Sequence, residues 1–181
     1  MSSPRRQLAD AKRGDDDRSA LPGFLHVDHV GLTVSELEPA VSFYCNVLGA
    51  RELYRMGPFD SAEFPLEPDG RDWSDSHFNV AGARFHFAML QLGPNLMLEL
   101  FQYDRPPDRR TQPPRNCDIG GHHLAVKVSN LDEAIAYLKK QKGVAVMAGP
   151  VVISEGVCAG LRVIYFLDPW GNQLELVEFN R

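Results

Sequence analysis

Gly120-Gly121-His122-His123-Leu124-Ala125-Val126-Lys127-Val128 decides how this 181-residue chain folds, because Val27-Asp28-His29-Val30-Gly31-Leu32-Thr33-Val34 follows the same plan. Shifting the earlier stretch by 94 residues lays His29 on His123, Gly31 on Ala125, Val34 on Val128, Ser35 on Ser129, Leu37 on Leu131, Ala40 on Ala134 and Val41 on Ile135. No gap is needed, so one half of the chain reads as a second copy of the other. The copies also close alike, with Leu98-Glu99-Leu100 in the first and Leu174-Glu175-Leu176 in the second. Two histidines near the openings and two glutamates near the ends supply four ligand-type side chains, a set that a hard or borderline divalent cation accepts.

Composition narrows the classes. A chain of 181 residues that is 44% hydrophobic can bury one or two small cores, and a soluble globular protein is expected. The formal net charge of −5 argues against nucleic acid as a partner. Cys45, Cys117 and Cys158 are odd in number and form no CxxC pair, which gives no disulfide framework and suits a reducing cytoplasm. Residues 1–23 mix arginines with aspartates and contain no apolar run, so a disordered tail is expected there, with neither a signal peptide nor a membrane span.

Along the chain the hydrophobic period alternates between two and 3.6. Val30, Leu32 and Val34 interleave with His29, Gly31 and Thr33, which predicts a strand whose histidine points away from the packed side. Ser35 and Glu38 spell a capping box ahead of a helix carrying Leu37, Ala40, Val41, Tyr44, Val47 and Leu48, ended by Gly49. Glu52–Met56 reads as a short strand. The polar, aromatic-studded stretch from Pro58 to Val80 is too long for an ordinary connection and reads as a loop covering a site or a partner subunit. Arg84–Leu92 and Asn95–Gln102 form a hairpin across Gly93-Pro94, with Leu96, Leu98 and Leu100 on one face and Met97, Glu99 and Phe101 on the other. A linker with two Pro-Pro pairs and four arginines follows. The second copy then offers a strand at His122–Val128, a helix with Leu131, Ala134, Ile135 and Leu138, and strands at Val144–Ile153, Leu161–Leu167 and Gln173–Phe179. The expected organisation is a tail at 1–23, a first βαβββ module at 24–103, a linker at 104–120 and a second βαβββ module at 121–181.

The Asp-His-Val-Gly opening, the Gly-x-His-His-Leu-Ala opening of the second copy and the Asp-Pro-x-Gly-Asn-x-Leu-Glu-Leu ending resemble the vicinal oxygen chelate superfamily. That group holds glyoxalase I, methylmalonyl-CoA epimerase, extradiol dioxygenases and fosfomycin-resistance enzymes. The likeness covers about Phe24 to Phe179. It implies an α+β fold in which two tandem βαβββ modules form a curved, incompletely closed sheet around a metal site. Carried over residue by residue, it places His29, Glu99, His123 and Glu175 on the ligand positions. His123 rather than His122 is chosen because it directly precedes Leu124-Ala125, as His29 precedes Val30-Gly31. His122, His26, His77 and His86 are read as hydrogen-bonded structural residues.

The resemblance implies one divalent ion, Zn, Mn, Ni, Co or Mg ahead of Fe, because iron members resemble a facial triad and this chain offers a fourth ligand in Glu99. It also implies abstraction of a proton beside a carbonyl of a vicinal-oxygen substrate such as a hydroxyketone or cyclitol ketone, with Glu175 or Glu99 as base. The expected activity is thus that of a metal-dependent isomerase of the epimerase type. A glyoxalase I-like lyase, an extradiol-type dioxygenase and a non-catalytic small-molecule binding protein stay open as alternatives. Thr33 stands where bacterial glyoxalases typically place an arginine, and Lys127 is its counterpart in the second copy; both are candidate substrate-binding residues. The chain is similar to the branch containing 2-epi-5-epi-valiolone epimerases of cyclitol pathways. Partners expected are a small-molecule substrate and a second copy in a homodimer, with no nucleic acid and no membrane.

Overall fold

The computed structural model describes residues 21–179. The tail expected at 1–23 therefore lies outside the described residues, except for 21–23, which form an exposed turn. Strand β1 (His29–Thr33) exposes His29, Gly31 and Thr33 and buries Leu32, the alternation its sequence demands. Helix α1 (Leu37–Asn46) buries Leu37, Ala40, Val41, Phe43 and Tyr44, a stripe at helical spacing. Then come β2 (Arg51–Asp60), a 3₁₀ turn (Ser61–Glu63), a short helix α2 (Trp73–Phe78), β3 (Arg84–Leu92) and β4 (Leu96–Arg105). The second half holds β5 (Leu124–Lys127), α3 (Leu131–Leu138), β6 (Ala145–Val146), β7 (Val151–Ile153), β8 (Leu161–Leu167) and β9 (Gln173–Phe179).

Each half makes its own sheet. The first runs β1-β4-β3-β2 and the second β5-β9-β8-β6, with β7 also on β8. In both, the opening strand pairs in parallel with the closing one, so each histidine is carried beside the strand that bears the glutamate. The two sheets stay open and do not close into a barrel.

Three expectations need correction. The strand expected over Val144–Ile153 is two strands, because Gly149-Pro150 interrupts it and proline has no N–H to give to the ladder. Gly57-Pro58 marks the same place in the first half, where the pairing of β2 with β3 shifts between Met56 and Phe59. The stretch from Pro58 to Val80 is structured: β2 runs on to Asp60, and the Asp72 side chain caps α2 by accepting from the Ser74 and Asp75 N–H groups. Those bonds, with the Ser74 hydroxyl and the Gly82 N–H, hold the Asp72 carboxyl down at about 2. Finally, Ser35 and Glu38 do not form a capping box. Glu36 occupies the cap position without a side-chain bond, and Glu38 pairs with Arg55 instead.

The orphan N–H at the start of each main helix is satisfied from a distant strand. Leu37 N–H donates to Gln102 Oε1 at 2.7 Å, and Leu131 N–H donates to Glu178 Oε1 at 3.0 Å. Gln102 and Glu178 each lie three residues beyond the closing glutamate of their half, so the repeat extends to how a helix is tied to its sheet.

Helices α1 and α3 and the inner faces of both sheets share one hydrophobic core, in which Leu98, Leu100, Leu131, Phe166 and Leu174 are fully buried. A seam of hydrogen bonds runs through it. The hydroxyl of Tyr44, on α1, donates to Asp168 Oδ2 at 2.9 Å across 124 positions of sequence. Asp168 also accepts from Trp170 N–H, Asn172 N–H and the Asn172 side-chain amide, all within 2.9 Å, so the Asp-Pro-Trp-Gly-Asn turn is wound around one carboxylate. Trp170 meets Phe43 edge-on at 5.9 Å, and the Tyr137 hydroxyl reaches the Val47 carbonyl at 3.2 Å.

Burial pushes the Asp168 carboxyl up, and the bonds from Asn172 and Tyr44 pull it back. A carboxyl raised on folding contributes stability that is complete below its unfolded value, near 4, and is lost as pH rises through the folded value. Tyr44→Phe removes one of the groups that hold Asp168 down, so its carboxyl should rise further. The variant should lose about 1–3 kcal/mol at pH 7.5 by urea unfolding, with a deficit that shrinks as pH falls and Asp168 takes up its proton. A loss below about 0.5 kcal/mol, or one that grows on acidification, would contradict the role given to this seam.

Candidate functional site

Glu99 lies between Leu98 and Leu100 on β4, and Glu175 lies between Leu174 and Leu176 on β9. Since the leucines face the shared core, each glutamate points out of the opposite face of its sheet. Burying each leucine is worth about 1.5–3 kcal/mol, and a one-residue slip would expose both and bury the carboxylate, so this orientation is fixed.

The opening histidines meet these carboxylates. His29 Nε2 lies 3.3 Å from Glu99 Oε2, and His123 Nε2 lies 3.1 Å from Glu175 Oε2. Both carboxylates are largely shielded, with 14% and 12% of the side chain exposed. The two pairs stand on separate sheets. Among the described residues, no group of three or more His, Cys, Asp and Glu side chains is arranged to hold a metal ion within one chain. The structure therefore brings the four expected ligands together as two pairs rather than as one set of four.

The first pair has room for a positive charge between its members. His29 Nδ1 lies 2.7 Å from Asp28 Oδ1; a carboxylate only accepts, so Nδ1 carries the hydrogen, and in the tautomer with no second hydrogen the ring turns a bare Nε2 toward Glu99. Two acceptors then face each other, an arrangement that a proton or a cation between them would relieve. Burial pushes the Glu99 carboxyl up; His29 pulls it back down, and Asp28 pushes it further up. In the second pair, Tyr165 stands across from Glu175 in the ladder and meets the His123 ring edge-on at 5.3 Å. Its phenol is pushed up by burial and by the charge of Glu175.

The entry to β5 needs a glycine. A Cβ on Gly121 would lie 2.0 Å from the Arg115 carbonyl oxygen, in a turn closed by the Gly121 N–H to the Asp118 carbonyl at 2.8 Å and by Arg115 paired with Asp118. Of the other histidines, His122 Nδ1 lies 3.2 Å from the Gly120 carbonyl, His77 Nδ1 2.8 Å from that of Trp73, and His26 Nδ1 3.1 Å from that of Val27. His86 borders a cleft with Arg55, Arg84 and Asp104 on the helix side of the first sheet.

Thr33 and Lys127 share the faces of their pairs. Each lies one pleat repeat, about 7 Å, beyond the rung of the glutamate, since Gly31 pairs with Glu99 and Thr33 with Phe101, while Ala125 pairs with Glu175 and Lys127 with Val177. Both are exposed. On the Glu99 face, an aromatic wall rises from Phe101 and Tyr103 on β4 and from Phe85 and Phe87 on β3. Trp73 of α2 extends it, stacked on Phe64 at 4.8 Å, so the Pro58 to Val80 stretch packs over one end of this face. Sequence reasoning missed Asp28, Tyr165 and the wall. For Asp28 the signal was its place directly before His29; for Tyr165 it was the period-two pattern of β8, which sets its side chain on the Glu175 face.

Comparisons with known proteins show the family. Residues 28–165 match the model of the Glyoxalase/Bleomycin resistance protein/Dioxygenase superfamily. A 2-epi-5-epi-valiolone epimerase from Actinomyces sp is 44% identical over 159 residues, covering 87% of this chain and 81% of that protein. Among solved structures, a glyoxalase family protein from Bacillus cereus aligns with TM-score 0.64 at 21% identity, over 87% of this chain and 96% of the other. A genomically encoded fosfomycin resistance protein from Listeria monocytogenes aligns with TM-score 0.53 at 19% identity, over 87% and 95%. With its duplicated module, its two open sheets and this match over most of its length, the chain belongs to the glyoxalase, bleomycin resistance and dioxygenase superfamily, the vicinal oxygen chelate group.

Proposed function

We propose that the protein is an epimerase that removes and returns a proton at the carbon beside a ketone, on a hydroxyketone or cyclitol ketone, at a site formed between two copies of the chain. The observation that carries this reading is the pair of His–Glu couples, related by the internal repeat and turned out of the two sheet faces that do not join the core. One chain presents half a site on each side. A second copy that sets its Glu175 face against the Glu99 face of the first would assemble two imidazoles and two carboxylates around one point. Exposed Tyr54 and Met56 on the first face and Val151 on the second supply apolar surface for such a contact. The 44% identity to the Actinomyces epimerase supports the reaction class.

The donor set fits a divalent ion. His29 and Glu99 of one copy with His123 and Glu175 of the other would hold it, the charges of the two carboxylates would balance it, and Asp28 would orient the His29 ring. When bound, the ion supplies a Lewis acid for the ketone oxygen, an effect worth several kcal/mol. The remaining work falls to this chain's own groups. A carboxylate, Glu99 or Glu175, takes the proton from the carbon beside the ketone, and the planar carbon that results is reprotonated on its other face. Thr33 and Lys127 hold substrate hydroxyls from either side. The aromatic wall excludes water and presents ring faces to the C–H edges of a carbocycle.

The test is solvent-deuterium exchange with a panel of cyclic and open 2-hydroxyketones, in protein loaded with Zn, Mn, Ni or Co. Wild-type protein should wash deuterium into the carbon beside the carbonyl and should hold metal equal to its chain content. Glu99→Gln with Glu175→Gln should cut exchange by about 10²–10⁴-fold. Binding of the same ketones without exchange would make the protein a receptor instead, and turnover of the methylglyoxal–glutathione adduct would favour a lyase.

A further inference from the structure

The aromatic wall beside Glu99 carries one hydroxyl that the fold does not use. Tyr103 lies two pleat repeats, about 13 Å, beyond Glu99 on the same face of β4. Its ring packs against Phe85 at 5.4 Å and Phe101 at 5.8 Å, which fixes it in the wall, partly buried. The tyrosines that tie the fold together donate to protein groups, Tyr44 to Asp168 and Tyr137 to the Val47 carbonyl. Among the described residues, nothing bonds the Tyr103 hydroxyl, and it is not sealed off, since no buried side-chain oxygen there lacks a partner. The second half fills the same place without a hydroxyl. Phe179 stands four residues past Glu175, as Tyr103 stands four past Glu99, and each lies across its ladder from an apolar residue, Leu161 and Phe85. Burial pushes the Tyr103 phenol up and the charge of Glu99 pushes it further, so it stays protonated and able to donate at neutral pH.

We infer that Tyr103 is a specificity-determining residue whose hydroxyl bonds a hydroxyl or hydroxymethyl group on the edge of the substrate ring far from the ketone. This inference rests on the proposed function above and deepens it, by selecting polyhydroxylated carbocyclic ketones over bare or open-chain ones. With the ketone end of the substrate at Glu99 and His29, its ring lies over Phe101 and Phe87, whose rings are 5.2 Å apart and fill the interval between Glu99 and Tyr103. Thr33 flanks that interval and Tyr103 ends it. The phenyl rings take up C–H edges and offer no hydrogen bond, so the far end of the substrate is read by the phenol. Because that contact is remote from the reacting carbon, it holds ground state and transition state alike, and its loss should be felt in KM rather than in kcat.

The test compares Tyr103→Phe with wild type, both loaded with Co(II), by deuterium exchange into two cyclic ketones. One is 2-hydroxycyclohexanone, which has the reacting end alone; the other is a pentahydroxycyclohexanone, an inosose, which adds hydroxyls around the ring. Tyr103→Phe keeps the ring against Phe85 and Phe101, and its thermal melt should match wild type. For the inosose its KM should rise by about 3–10-fold, the worth of one neutral hydrogen bond, with kcat within about twofold of wild type. For 2-hydroxycyclohexanone both constants should stay at the wild-type values. An unchanged KM for the inosose would overturn the assignment, as would an equal loss on both ketones. Exchange by wild type into neither ketone would overturn the proposed function itself, which separates that failure from failure of the Tyr103 assignment alone.

Discussion

Leu98 and Leu100 are fully buried, and the carboxylate between them has one direction left to take. The same constraint acts on Glu175 between Leu174 and Leu176. Everything at the site follows from this alternation. Hydrophobic burial selects the face, the parallel pairing of opening and closing strands sets each histidine next to its glutamate, and the price of a largely shielded carboxylate is offset by the leucines on either side. The largest energies in the molecule thus aim the groups that do chemistry without taking part in it.

A second consequence concerns how the halves meet. Because the helix sides of both sheets share one core, pinned by Tyr44 on Asp168, the Glu99 and Glu175 faces are the outer faces of the chain. Folding one chain cannot bring its own two pairs together without opening that core. The site proposed here is therefore completed by association, and the apolar side chains left on the outer faces supply the surface for it.

The sequence was informative where the physics is local or repeated. The offset that lays His29 on His123 and the period-two pattern around Glu99 were enough to read two modules and the outward direction of that carboxylate. The resemblance added which of the two neighbouring histidines to pair. What escaped depends on partners far along the chain. Helix α1 takes its cap from Gln102, 65 positions away, so the local Ser35 and Glu38 signal pointed to a box that does not form. Period-two alternation says that a face is buried but not against what, so the pairing of the two helix sides, and the separation of the four ligand-type residues into two couples, could not be read from the pattern. The stretch from Pro58 to Val80 misled for a related reason: α2 is short and polar, and what settles it is Trp73 stacking on Phe64 and on rings of another strand.

The proposed activity needs a cation site shared between the first sheet of one copy and the second sheet of another. The most direct measurement is co-expression of a His29→Ala, Glu99→Ala double variant with a His123→Ala, Glu175→Ala double variant, followed by deuterium exchange on the purified mixture. Each variant alone should be inactive, and the mixture should recover about a quarter of wild-type exchange, because mixed dimers make up half the population and each carries one intact site of two. No recovery, with both variants folded and associated, would contradict the shared site.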